Sequence, residues 1–244
     1  MSIGYEQVYQ LRTGDFDRYC RPQPASVLDI FQDIAGVNAE SMPNMSFADM
    51  QRQQLLWVVT RIRYELVACP ALHEQVHVRT WPLAPSRKGF QREYVMESLD
   101  GRVYILGSSE WIVMDANTRS FVSVKDIAGE GGDYASETVF DGRLRKIRTF
   151  EPHGPGHVLV PAHTDIDVNG HVNNTKYANY ALDAVELGPD EPITSFQIDF
   201  RHELMDGQET TVYARREGDE VVTMGMQGDV VSFATRMLVG HATS

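Results

Sequence analysis

Residues 57–66 read Trp-Val-Val-Thr-Arg-Ile-Arg-Tyr-Glu-Leu, and residues 195–204 read Ser-Phe-Gln-Ile-Asp-Phe-Arg-His-Glu-Leu. Both close on Arg-x-Glu-Leu, Arg63-Tyr64-Glu65-Leu66 and Arg201-His202-Glu203-Leu204, 138 positions apart. Upstream of each, Asp15-Phe16-Asp17 matches Asp165-Ile166-Asp167 at an offset of 150. A helical stripe follows each acidic pair. Val27, Ile30, Phe31, Ile34 and Ala35 fall at i, i+3, i+4, i+7 and i+8, and Tyr177, Tyr180, Ala181, Ala184 and Val185 repeat that spacing, as expected of a helix with one buried face. Strand signals come next. Phe196, Ile198 and Phe200 alternate with Gln197, Asp199 and Arg201, and Asp100-Gly101 and Gln227-Gly228 sit between apolar runs as hairpin turns. A lone helix with an apolar face needs a sheet to cover it. The expected class is therefore α+β in two copies, each a central helix wrapped by an antiparallel β-sheet. Gly129-Glu130-Gly131-Gly132 and Pro152-His153-Gly154-Pro155-Gly156-His157 bracket a polar stretch that reads as a linker. The expected boundaries are 1–126 for the first copy, 127–158 for the linker and 159–244 for the second.

Bulk properties exclude whole classes of function. The 244 residues carry 22 Lys and Arg against 34 Asp and Glu, a formal charge of −12. Phosphate neutralisation needs positive charge, so no nucleic-acid or anionic-membrane partner is expected. Cys20 and Cys69 are too few for a disulfide framework. The longest apolar run is about Leu55 to Val59, far short of a membrane span. The N-terminal Met-Ser-Ile-Gly-Tyr-Glu has neither a basic nor an apolar signal region. A cytoplasmic location is the expectation.

Chemistry concentrates in Asp165-Ile166-Asp167-Val168-Asn169-Gly170-His171-Val172-Asn173-Asn174-Thr175-Lys176-Tyr177. A carboxylate, an amide and an imidazole alternate just ahead of a helix. Asp167 and His171 are proton-transfer groups, and Asn169 can orient a carbonyl or a water. Amides that open a helix suit an oxyanion, and Asn173 or Asn174 is the expected cap. Each residue also has a plainer reading: Asp167 as a turn cap, Asn169 as a left-handed turn residue, His171 as a ring bonded to backbone. Regular strand parity would put Glu203 on the face of Gln197, Asp199 and Arg201, either in solvent or in a cleft. His153, His157 and His163 lack the spacing of a zinc site.

The pattern Asp-x-Asn-x-His-Val-Asn-Asn-x-x-Tyr resembles the hallmark of fatty acyl-ACP thioesterases, the tandem hotdog-fold enzymes of plants and bacteria. The resemblance extends to the paired halves, Trp57-Val58-Val59-Thr60-Arg61, Thr80-Trp81-Pro82 and the Phe-Arg-x-Glu of 200–203. The Gly-His-Val-Asn-Asn core is shared with single-hotdog acyl-CoA thioesterases. By position the resemblance implies catalytic roles for Asp167, Asn169, His171 and Glu203. A cysteine follows that Glu in many members; here the residue is Leu204, so a cysteine–histidine mechanism has no nucleophile there. The implied reaction is hydrolysis of a fatty acyl thioester, releasing free fatty acid from acyl carrier protein or coenzyme A. It needs no cofactor or metal. Either Asp167 attacks the carbonyl, or Asp167, His171 or Glu203 activates water. The competing readings are a double-hotdog enoyl-thioester hydratase and a non-catalytic acyl-thioester sensor.

Further expectations concern substrate and partners. Leu28, Phe31 and Ile34 on the first helix, with Asn173 and Tyr177, are the expected substrate contacts. At the position of Asn169 and His171 the first half has Tyr19 and Arg21, so one catalytic centre per chain is expected, in the second half. Arg143, Arg145, Lys146 and Arg148 place four cations in six residues, a docking surface for an acidic carrier. Self-association as a homodimer is a further allowed assembly.

Overall fold

A computed structural model describes residues 4–86, 89–123, 127, 134–168 and 170–240. Gly129–Gly132 and Asn169 therefore lie outside the described residues. The chain divides into two compact units, one of residues 1–13 and 29–144, the other of residues 14–28 and 145–244.

In the first unit, β1 (Tyr5–Gln10), β2 (Leu55–Leu66), β3 (Gln75–Pro82), β4 (Phe90–Ser98) and β5 (Val103–Asp115) form an antiparallel sheet in the order β1-β3-β4-β5-β2, with β6 (Phe121–Val122) on β5. Helix α1 (Pro24–Glu40), of which residues 29–40 belong to this unit and 24–28 to the other, starts on a proline, whose missing N–H costs nothing at that position. Its expected stripe is buried. Phe31 stacks on Tyr94 of β4 with centroids 4.3 Å apart, and it lies over Gly107 of β5, where a Cβ would meet the ring at 2.2 Å. Complete burial of such a ring contributes about 1.5–3 kcal/mol. A short α2 (Phe47–Arg52), capped by Ser46, adds Met50 to a cluster with Met45, Leu55, Phe90 and Val113.

The second unit repeats the scheme. β7 (His157–Leu159), β8 (Ile193–Phe200), β9 (Thr210–Glu217), β10 (Glu220–Gln227) and β11 (Val230–Val239) are ordered β7-β9-β10-β11-β8, the order of the first sheet strand for strand. Helix α3 (Lys176–Asp183) packs on β10 and β11. Tyr177 meets Phe200 and Phe233 edge-on, each at 5.3 Å. The expected hairpins turn at Gly101 (φ +89°) and Gly228 (φ +57°), a left-handed backbone that glycine adopts freely.

The described part of 127–158, read in sequence as a linker, is pinned to both units. In the first, fully buried Glu93 accepts the Val139 N–H at 2.9 Å, the Trp81 indole donates to the Glu137 carbonyl, and Arg61 donates to the Leu144 carbonyl. In the second, buried Asp199 accepts the Ile147 N–H at 2.7 Å, and Gln197 and Arg201 donate to the Arg145 and Ile147 carbonyls. Leu144 and Ile147 are buried beneath this run. The face of Gln197 and Asp199 is thus covered by the connecting segment, which is neither of the two surroundings that strand parity left open.

Candidate active site

The two acidic pairs fold into the same loop. A single 3₁₀ turn precedes each, Thr13–Asp15 and His163–Asp165, followed by an isolated bridge, Phe16 with Pro22 and Ile166 with Val172. Asp167 N–H donates to the His171 carbonyl at 2.8 Å and Gly170 N–H to the Asp167 carbonyl at 3.0 Å; Asp17–Arg21 and Cys20–Asp17 repeat both distances. Asn173 N–H reaches the Asp165 carbonyl at 2.8 Å, as Gln23 N–H reaches that of Asp15 at 2.9 Å. The turn demands a left-handed residue, Gly170 at φ +77° and Cys20 at φ +58°.

Within this loop, Asp167 Oδ1 accepts the His171 N–H at 3.3 Å, and Asp17 Oδ1 accepts those of Tyr19 and Arg21 at 2.7 and 3.0 Å. Both carboxylates therefore shape their turns, which is the plainer reading given above for Asp167. Asp165 Oδ2 accepts the Ala162 N–H and the Tyr180 hydroxyl, with Lys176 Nζ 3.4 Å from Oδ1. Desolvation pushes this carboxyl up, but the hydrogen bonds and the lysine outweigh it and hold it below the ordinary carboxylate value. Asn173 Oδ1 takes the Thr175 N–H at 2.9 Å and the Thr175 hydroxyl at 3.0 Å, an Asx turn ahead of α3. The N-cap of that helix is Thr175, which makes no side-chain cap bond, so neither Asn173 nor Asn174 is the cap expected from sequence.

Glu203 reaches the loop because β8 ends at Phe200. The next two N–H groups, of Arg201 and His202, share the Ser232 carbonyl, and the chain then leaves the sheet. Val172 N–H donates to the Leu204 carbonyl at 3.3 Å, and Leu204 N–H donates to the Tyr177 hydroxyl at 2.9 Å. Anchored so, Glu203 Oε2 lies 3.5 Å from His171 Nε2, with the imidazole side chain 24% and the carboxylate side chain 45% exposed. Burial raises the Tyr177 hydroxyl to about 12, assisted by the charges of Glu203 and Asp167 and opposed by the Leu204 N–H. The structure thus brings together Asp167, His171, Glu203 and Tyr177 from the expected set; the side chain of Asn169 falls outside the described residues. Leu28, Phe31 and Ile34 lie in the packed interior. Arg143, Arg145, Lys146 and Arg148 are all exposed on the connecting segment. The role of Leu204 was not visible in sequence: its side chain is fully buried, and its backbone holds the glutamate in place.

Known proteins resemble this chain in sequence and in fold. Residues 3–129 match the family model of the acyl-ACP thioesterase N-terminal domain, and residues 156–234 match that of the C-terminal domain. A chloroplastic palmitoyl-acyl carrier protein thioesterase of Arabidopsis thaliana is 29% identical over 167 residues, 65% of this chain and 40% of that protein. An acyl-[acyl-carrier-protein] hydrolase of Cuphea viscosissima is 24% identical over 214 residues, 82% of this chain and 52% of its own length. The chain thus spans about half the length of these curated relatives or less. The crystal structure of an acyl-ACP thioesterase from Bacteroides thetaiotaomicron superposes with a TM-score of 0.84 at 22% identity, covering 97% of both chains. The fold is accordingly a tandem hotdog. Two family models that between them take in both duplicated halves carry the conclusion: the chain belongs to the acyl-ACP thioesterase family.

Proposed function

We propose that this protein hydrolyses fatty acyl thioesters of acyl carrier protein, with its catalytic centre in the second unit. The observation that carries the reading is the His171–Glu203 pair, 3.5 Å apart on the loop that Asp167 shapes, in a chain of this family. His171 takes a proton from water as the water oxygen attacks the thioester carbonyl. Glu203 stabilises the imidazolium, in the manner of a carboxylate behind a catalytic histidine. The tetrahedral intermediate collapses, the C–S bond breaks, and the imidazolium returns its proton to the thiolate. The products are a fatty acid and the carrier thiol. Asn169 orients the carbonyl or the water.

Asp167 acts here as the loop's organiser rather than as a nucleophile. Its Oδ1 is already engaged by the His171 amide, and Asp17 makes the same bond in a loop with no imidazole. Two measurements test this. Label from ¹⁸O-water appearing in Asp167 after a single turnover would establish an anhydride opened at the aspartyl carbon, and an aspartyl hydroxamate formed at Asp167 in the presence of hydroxylamine would establish an anhydride opened at either carbon. Thiol release from acyl-ACP, without a change in 2-enoyl absorbance, distinguishes hydrolysis from hydration, and binding without release would identify a sensor.

The acidic carrier docks on Arg143, Arg145, Lys146 and Arg148. Anchors at Leu144 and Ile147 fix the backbone beneath them, and among the described residues no carboxylate pairs with the four cations. Reversing Arg145 and Lys146 to Glu should raise KM for acyl-ACP several-fold at low salt and far less at high salt. Phe31 and Ile34, expected from sequence to meet the acyl chain, are fully packed within the protein; changing their volume and reading the chain-length profile tests that expectation, and an unchanged profile removes them from the substrate contacts.

A further inference from the structure

Tyr177, expected from sequence as a substrate contact, makes a hydrogen bond that such a role does not account for. Its ring is held by Phe200 and Phe233, and its hydroxyl is buried. That hydroxyl accepts the N–H of Leu204, the residue next to Glu203, at 2.9 Å. Leu204 has left the sheet: β8 stops four residues earlier, at Phe200. Its two backbone groups instead bond to the catalytic loop and its helix, the carbonyl to Val172 and the amide to Tyr177. Glu203 itself is half exposed, lies beyond the end of β8 and faces His171. The residue next to it is tied down through both of its backbone groups.

We infer that Tyr177 is a positioning residue for the proposed hydrolysis: by capturing the Leu204 amide, its hydroxyl fixes the peptide that carries Glu203 and so sets the distance between that carboxylate and His171. The inference rests on the function proposed above and deepens it. A phenol suits the task. It accepts a backbone N–H while keeping a hydrogen of its own to donate, and its two-torsion ring loses little freedom on burial against two phenylalanines. The first half shows what happens without such a tie. Glu65, the counterpart of Glu203, stays inside β2 in an ion pair with Arg63.

Tyr177→Phe removes the oxygen and keeps the ring, so the packing survives. The readouts are the hydrogen-exchange rate of the Leu204 amide and kcat and KM on acyl-ACP in a cycle with Glu203→Gln. The inference requires faster exchange at Leu204 and a kcat lower by about 10- to 100-fold with KM little changed, the scale of a small misplacement in a reacting array. It also requires that the hydroxyl's effect largely vanish in the Glu203→Gln background, since a residue acting through Glu203 has nothing left to position. An equal fold-loss in both backgrounds, or unchanged exchange at Leu204, overturns it. A wild-type protein that releases no thiol would defeat the proposed function itself, a result distinct from either of these, while the exchange measurement still decides whether Tyr177 holds Leu204.

Discussion

The loop of residues 13–27 and the loop of residues 163–177 share a backbone and differ in what they present. Each has the 3₁₀ turn, the isolated bridge, the aspartate bonded to the amide four residues on, and a left-handed residue before the last turn position. At that last position one presents Arg21, which donates to the carbonyls of Gly188 and Pro189, with its guanidinium over the Tyr19 ring. The other presents His171 opposite Glu203. Loop geometry is therefore a structural inheritance of both copies, and the second departs from the first in two local ways: an imidazole at the end of the turn, and a strand that quits its sheet early enough to send a glutamate to it. Aspartate is common to both loops and so cannot by itself mark the working one.

The largest test of this contrast is at the divergent position. His171→Ala should lower kcat by about 10²- to 10⁴-fold, the span of a lost general base, while Arg21→Ala should leave kcat within about twofold; comparable losses in a thiol-release assay would mean two working centres. Next comes the glutamate pair. Glu203→Gln should cost kcat about 10-fold or more, and Glu65→Gln, which only breaks a half-exposed ion pair with Arg63, should change neither kcat nor KM. A stability test sharpens the comparison of helices. Gly107→Ala drives a methyl into the Phe31 ring and should destabilise the protein by about 1–3 kcal/mol in denaturant unfolding, as overpacking does. The smallest effect belongs to Asp165. Its carboxyl is held below the ordinary value in the folded protein, so its stabilisation is present at neutral pH and fades as pH falls through the carboxylate range towards its folded pKa. Asp165→Asn should lower the melting temperature slightly at pH 7 and leave it unchanged near pH 2; equal shifts at both would disprove the electrostatic account.

Much of this was legible in the sequence because it is local. The helical stripe of Val27–Ala35, the Asp-Gly and Gln-Gly hairpins, and the matched acidic pairs depend on period and turn chemistry within a few residues. The second stripe, expected from Tyr177 to Val185, is helical only to Asp183, and Ala184 and Val185 lie past the end of α3. The membership of Asp167, His171 and Glu203 in one site followed from resemblance, and the geometry joins them. What the sequence withheld depends on distant partners. Alternation through Phe200 gives no sign that the strand stops, because Arg201-His202-Glu203 continues it well enough; the stop comes from hydrogen bonds offered by Val172 and Tyr177. Nor do Leu144 and Ile147, two apolar residues among four cations, announce a segment anchored by two buried side chains. The carboxylates that hold the segment, Glu93 at Val139 and Asp199 at Ile147, look in sequence like ordinary surface charges.

Those two carboxylates determine where the polypeptide tolerates scission. Glu93 draws one of its donors from Val139, and Asp199 draws one from Ile147. A truncation ending at residue 126 would deprive the first, and one starting at residue 159 would deprive the second. Each would leave a dehydrated anion short of a partner, at a cost on the order of 1–3 kcal/mol or more. Breaking the chain between residues 140 and 146 keeps both donors with their acceptors, so a nicked or split version of this protein should survive there and fail at the glycine-rich borders that composition suggests.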